Sequence, residues 1–204
     1  GFQLATTTSG IDTPVIAPKN VDIKSEITPD LREIVLFKDV EGKVGLRVRP
    51  FCTGVFVSYV DANSPAALAG LKFGDQIIQI DGKNIAGYLM GTVMKIIKES
   101  PRIVLTVRNS LFERTVTLWK NSMGKVGFTF SDGEIRSIDT DSPSARYGLL
   151  TEQNLVSVNG KNVVGLKDED INDMIVKSER SVTLTIVPTY IFKEISKNMP
   201  ADIA

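Results

Sequence analysis

The chain has 204 residues, with 24 Lys and Arg against 24 Asp and Glu, so its formal net charge is zero. That balance argues against nucleic acid as a main partner and leaves room for a local basic patch. There is no histidine and one cysteine, Cys52, which excludes Ser-His-Asp and Cys-His catalysis, histidine and cysteine-cluster metal sites, and an intramolecular disulfide.

Residues 1–31 are rich in Thr and Ser, carry Pro14, Pro18 and Pro29, and show no sustained period. They read as a disordered N-terminal tail. From Arg32 to Phe37 the pattern is that of a strand. Leu46 to Arg49 alternates apolar and basic residues, and Gly54 to Val60 is a third strand. Ser64-Pro65 supplies an N-cap and a first-turn proline, so a short helix follows and ends at Gly70. Asp75 to Ile80 is a strand leading into an Asp81-Gly82 turn. Between Leu89 and Lys98, spacings of three and four place Met90, Val93, Met94 and Ile97 on one helical face. Ile103 to Val107 closes the unit as a strand.

The same order then repeats. Arg114 to Trp119 and Val126 to Phe130 are strands, Ser142-Pro143 opens a short helix, and Asn159-Gly160 is a turn. Asp168 to Lys177 is a long helix whose apolar stripe is Ile171, Met174 and Ile175, with three acidic residues in its first turn. Ser181 to Val187 is the closing strand. This organisation divides the chain into 1–31, a first unit 32–109, a linker 110–113 expected to bury Leu111 and Phe112, a second unit 114–188, and a C-terminal tail 189–204. That tail has mild helical spacing at Ile191, Ile195 and Met199. The fold class is mainly β with two helices per unit, two partly open antiparallel barrels in tandem.

The repeat is anchored on Lys43-Val44-Gly45-Leu46 and, 82 residues later, Lys125-Val126-Gly127-Phe128. A glycine just ahead of an alternating strand lets successive N–H groups converge on one point, and such a nest holds an anion, typically a carboxylate. If the strand behind it has a free edge, an extended peptide can add there with its chain terminus in the nest.

The order of glycine loop, strand, Ser64-Pro65-Ala66-Ala67, Gly70-Leu71, Gly74-Asp75 to Asn84 and long helix resembles the PDZ domain. More narrowly, Phe112 to Thr115, Gly148 to Glu152 and Asn162 to Asp168 resemble the syntenin family of tandem-PDZ scaffolds. Two departures stand out: lysine leads each glycine loop, and Gln153-Asn154 replaces the Gly-Asp pair in the second unit.

The resemblance implies that the amides of Val44, Gly45 and Leu46, and those of Val126, Gly127 and Phe128, bind a peptide carboxylate. It implies pockets lined by Leu46, Val48 and Ile97 in the first unit, and by Phe128, Phe130 and Ile175 in the second. Met94, Ile171 and Asn172 join them. Met90 and Asp168, first residues of the long helices, would select the antepenultimate residue: an apolar one at Met90, a hydrogen-bond donor at Asp168. It further implies a non-catalytic adaptor, with no cofactor, that binds the C-terminal tails of transmembrane receptors such as the syndecans.

Lysines recur beside both grooves and in the tail, at Lys38, Lys43, Lys120, Lys125 and Lys197. The resemblance implies phosphoinositide-headgroup binding with basic contacts at Lys120 and Lys197, so a membrane adaptor with peptide secondary is the alternative. Homodimerisation through a groove or edge is compatible with both. No run reaches the length of a membrane span and no signal peptide is evident. The single cysteine fits a cytoplasmic setting, and the resemblance implies a peripheral location at the inner face of the plasma membrane and on endosomal membranes.

Overall fold

The computed structural model describes residues 31–197. The expected N-terminal tail lies outside these residues apart from Leu31, as do Met199 and the rest of 198–204. Two six-stranded antiparallel sheets are present. The first unit contains β1 (Leu31–Phe37), β2 (Leu46–Phe51), β3 (Gly54–Val60), α1 (Pro65–Leu68), β4 (Gln76–Ile80), β5 (Lys83–Asn84), α2 (Met90–Glu99) and β6 (Arg102–Arg108). The second contains β7 (Arg114–Trp119), β8 (Phe128–Ser131), β9 (Glu134–Ile138), α3 (Pro143–Arg146), β10 (Gln153–Val158), β11 (Lys161–Asn162), α4 (Asp168–Lys177) and β12 (Ser181–Pro188), and is followed by α5 (Thr189–Ser196).

Strand order is β1-β6-β4-β3-β2 in one sheet and β7-β12-β10-β9-β8 in the other, with β5 and β11 each appended to the central strand. The internal repeat is therefore a repeat of topology, and neither barrel closes. Both sheets end on the strand that follows the glycine loop: β2 pairs with β3 and β8 pairs with β9. One edge of each is left without a strand partner.

Local chemistry accounts for the short helices. Ser64 and Ser142 are extended N-caps whose hydroxyls accept from the N–H of Ala67 and Ala145, both at 3.2 Å, and a proline takes the first position of each helix. The long helices begin at Met90 and Asp168, as their spacing predicts. Val93 and Ile97 enter one core, and Ile171 and Ile175 enter the other.

Several elements differ from the sequence reading. In the second unit the strand starts at Phe128 rather than Val126, because Gly127 has φ +84° and breaks extended geometry just before it. Strand β9 was not anticipated: Glu-Ile-Arg-Ser-Ile carries little alternation, yet Glu134 and Ile135 are buried. In the linker Phe112 is half-buried, whereas Leu111 is 73% exposed instead of buried.

A third cluster of buried residues joins the units. It contains Phe56 and Phe73 of the first, Val156, Val164 and Val187 of the second, and Ile191 and Ile195 of α5. Phe51, Phe56 and Phe112 pack as a ring triad with centroids 5.7–5.9 Å apart, and Phe73 meets Phe192 of α5 at 4.9 Å. Thus the helical spacing in the tail belongs to a helix wedged against both sheets.

Asp75 secures the same region. Its carboxylate accepts from the Arg32 guanidinium at 2.7 Å, from the Lys72 N–H at 2.9 Å and from the Ser110 N–H at the linker at 3.2 Å. Burial pushes its pKa up, and those three donors pull against the rise. In the second unit Asn154 stands at that place, and Arg114 keeps only the parallel bond to the Gly148 carbonyl. Among the described residues no helix is long and apolar enough to cross a membrane.

Candidate functional site

The two glycine loops are built alike. Asp39 and Asn121 open them, and each side-chain oxygen accepts from the N–H two and four residues on: Glu41 and Lys43, Met123 and Lys125. The carbonyls of Val44 and Gly45 accept from Ala66 and Asp61, and those of Val126 and Gly127 accept from Ser144 and Asp139. Every carbonyl of the pair is thus used. In contrast, the N–H groups of Val44, Gly45, Val126 and Gly127 donate no hydrogen bond among the described residues. Val44 is fully buried and Val126 nearly so, and a buried N–H without an acceptor costs about 1–3 kcal/mol. These donors lie in the residues immediately ahead of the edge strands β2 and β8.

Only glycine fits the turning point. Gly45 and Gly127 have φ +75° and +84°, and a Cβ on either would run into the Ser64 or Ser142 side chain that caps the short helix.

Beside the second loop a cavity of about 270 Å³ opens. It is lined by Val126, Gly127, Phe128, Phe130, Asn172 and Ile175, with Lys120, Lys125 and Val176 at its rim. Phe128 and Phe130 are half-buried with ring centroids 6.0 Å apart, and Asn172 is exposed. Most residues named for this pocket are therefore brought together. Ile171 is not among them: at 2% exposure it belongs to the core.

The first unit is more closed. Leu46, Val48 and Ile97 are only 1–5% exposed and sit in the core, while Met90 and Met94 are half-buried against it. Met90 instead lines a cavity of about 570 Å³ between the β2–β3 turn at Cys52 and the β5–α2 loop at Tyr88. The methionines are the adaptable part of this unit's surface.

Two residues have partners that the sequence did not suggest. Asp168 accepts from the N–H of Asp132 at 2.7 Å through one oxygen and of Gly133 at 2.9 Å through the other. It latches the start of α4 to the β8–β9 turn, so it is not an unencumbered selector. Lys120 donates to the carbonyls of Val176 at 3.1 Å and Ser178 at 2.7 Å, closing the C-terminal end of α4, where a cation is favoured. Lys125 lines the cavity, and its exposed side chain makes no ion pair among the described residues. Lys38 is half-buried, and Lys43 is exposed on the first loop. Lys197 follows α5 and does not line this cavity, so the basic residues do not form one cluster.

Comparison with known proteins accords with this geometry. A model described as PDZ domain matches residues 56–109. Human syntenin-1 is 48% identical over 182 residues, covering 88% of this chain and 61% of that protein. The chain is a homologue of the syntenins. Mouse syntenin-2 is 44% identical over 191 residues, covering 91% of this chain and 65% of that protein. The chain therefore spans under two thirds of the length of the curated syntenins it matches. The matched PDZ region lies in the first unit, and the kinship with the syntenins extends over both units.

Proposed function

We propose that the chain is a non-catalytic PDZ adaptor that captures C-terminal peptides of membrane receptors, of the syndecan kind, by strand addition to β8 and β2. The observation that carries this reading is the set of orphaned N–H groups at Val126 and Gly127, and at Val44 and Gly45, each beside an unpaired sheet edge. A carboxylate supplies the acceptors those donors lack, and the peptide backbone supplies a strand.

The second unit is the better receiver, because a cavity walled in part by Phe128, Phe130 and Ile175 stands open where the last side chain would sit. In the first, the corresponding Leu46, Val48 and Ile97 are only 1–5% exposed. A groove of this size supports roughly micromolar binding, about −8 kcal/mol. Backbone amide NMR tests the reading: titration with a free-acid peptide ending in valine should shift Val126 and Gly127 first. Shifts confined to other parts of the chain would contradict it.

A membrane role is the second reading, favoured by Lys120 and Lys125 at the rim and by Met123, 74% exposed at the loop tip between them. On this reading the loop dips toward anionic headgroups, phosphoinositides among them. Each lysine near such a surface contributes about 1 kcal/mol. Lys125→Ala is the clean probe, since Lys120→Ala would also uncap α4. It should weaken pelleting with phosphoinositide-containing liposomes by about fivefold, and unchanged pelleting would sink the membrane reading.

A further inference from the structure

The groove of the second unit runs toward the first. A peptide strand antiparallel to β8, with its carboxylate at Val126–Phe128, advances about 3.4 Å per residue. Its fifth residue from the end therefore comes level with Asp132 in the β8–β9 turn. There Asp132 and Asp168 also line a second cavity of about 690 Å³, whose other walls include Tyr59 and Arg47 of the first unit, Leu166, and Phe192 of α5. Asp168, in the wall of this second cavity, stands one turn of α4 before Asn172, in the wall of the first.

The lining of this crevice mixes apolar surface from Tyr59, Val164, Leu166 and Phe192 with charged groups. Tyr59 and Phe192 are half-buried, and Leu166 is 45% exposed although it stands beside them. Tyr59 is held from both sides: the Arg47 guanidinium lies 5.5 Å from its ring centre, and a Cβ at Gly165 of the second unit would come within 2.9 Å of the ring. Arg47 and Lys167 offset Asp132 and Asp168 in charge, so no strongly charged occupant is favoured.

We propose that this crevice is a second recognition site for the same ligand. It receives an apolar side chain five to seven residues before the peptide's C-terminus, so that the first unit takes part in what the second unit binds. The proposal rests on the carboxylate reading and deepens it. It also gives the docked arrangement of the units a purpose in recognition, since Tyr59 lines the crevice only because the third core holds β3 against the second unit.

The test uses the whole chain and three fluorescein-labelled peptides measured by polarisation. One is the tetrapeptide Gly-Gln-Phe-Val. The second is a ten-residue peptide with the same end and two leucines at the sixth and seventh positions from it. The third has serines in place of those leucines. The leucine peptide should bind about fivefold to tenfold tighter than the tetrapeptide, the gain of one partly buried apolar side chain. The serine peptide should show no such gain. Leu166→Glu should erase the gain and leave tetrapeptide affinity unchanged. Equal affinity of the leucine and serine peptides would overturn the proposal, as would a gain that persists in Leu166→Glu. If the amidated tetrapeptide binds as well as the free acid, the carboxylate reading itself fails and this one falls with it. Carboxylate-dependent binding without a leucine gain rejects the crevice alone.

Discussion

At the scale of single residues, the polar atoms divide into those that are spoken for and those that are not. Asp168 is spoken for: two backbone N–H groups of the β8–β9 turn end on its carboxylate. Asp168→Ala leaves both donors without that acceptor, and urea unfolding should report a loss of about 1–2 kcal/mol. A loss confined to peptide affinity, with stability intact, would mean that the latch carries no load in the free chain. The partners of Asp168 lie 35 and 36 residues away, so nothing in the local sequence pointed to them. The glycine loops were legible, because glycine between apolar residues ahead of an alternating strand is a local signal. The reason both loops need glycine, the serine cap pressed against each, is tertiary and was not.

Glu113 gives a second test at this scale. It is half-buried at the linker, and burial raises its pKa above the ordinary 4.5, with Lys72 opposing the rise. Over the window between the two values the folded chain holds a proton that the unfolded chain has released. This group's contribution to stability therefore falls as pH rises through that window. Removing the charge should help most where the carboxylate is ionised. In thermal melts the advantage of Glu113→Gln over the parent should grow between about pH 4 and about pH 7, and an advantage that shrinks over that range would show the reverse shift.

Among the elements, α5 has the largest consequence. Ile195 is fully buried and Ile191 nearly so, packed with Phe56 and Phe73 of the first unit and Val156 of the second. Ile195→Ala should cost about 2–4 kcal/mol of the docked arrangement. Proteolysis within residues 109–113 should accelerate, and an unchanged cleavage rate would show that the units stay joined without the helix. The sequence offered only a weak hint here, because Ile191 and Ile195 set a helical period without saying what the helix covers. By contrast, β3, β7 and α4 fall where alternation, capping residues and three-four spacing put them. Strand β9 escaped notice because its residues pair on both sides of a short, polar stretch, and pairing rather than pattern makes it a strand.

The whole molecule is two copies of one topology fastened at a third core, with five residues between the last strand of one unit and the first of the next. On the proposed reading, fixed geometry of this kind makes avidity depend on partner spacing: clustered peptide termini gain, and a lone terminus uses one groove. The second groove, open and aromatic-lined, takes the first ligand in this account, while the closed groove of the first unit contributes less. Capture of a peptide carboxylate by the orphaned N–H groups of the glycine loop is the claim on which the rest depends. Calorimetry of the whole chain with one valine-ending peptide, prepared as free acid and as C-terminal amide, tests it most directly. The free acid should bind in the micromolar range and the amide at least about thirtyfold more weakly, the loss of charge-assisted hydrogen bonds worth about 2 kcal/mol. Equal affinity of the two would contradict the account.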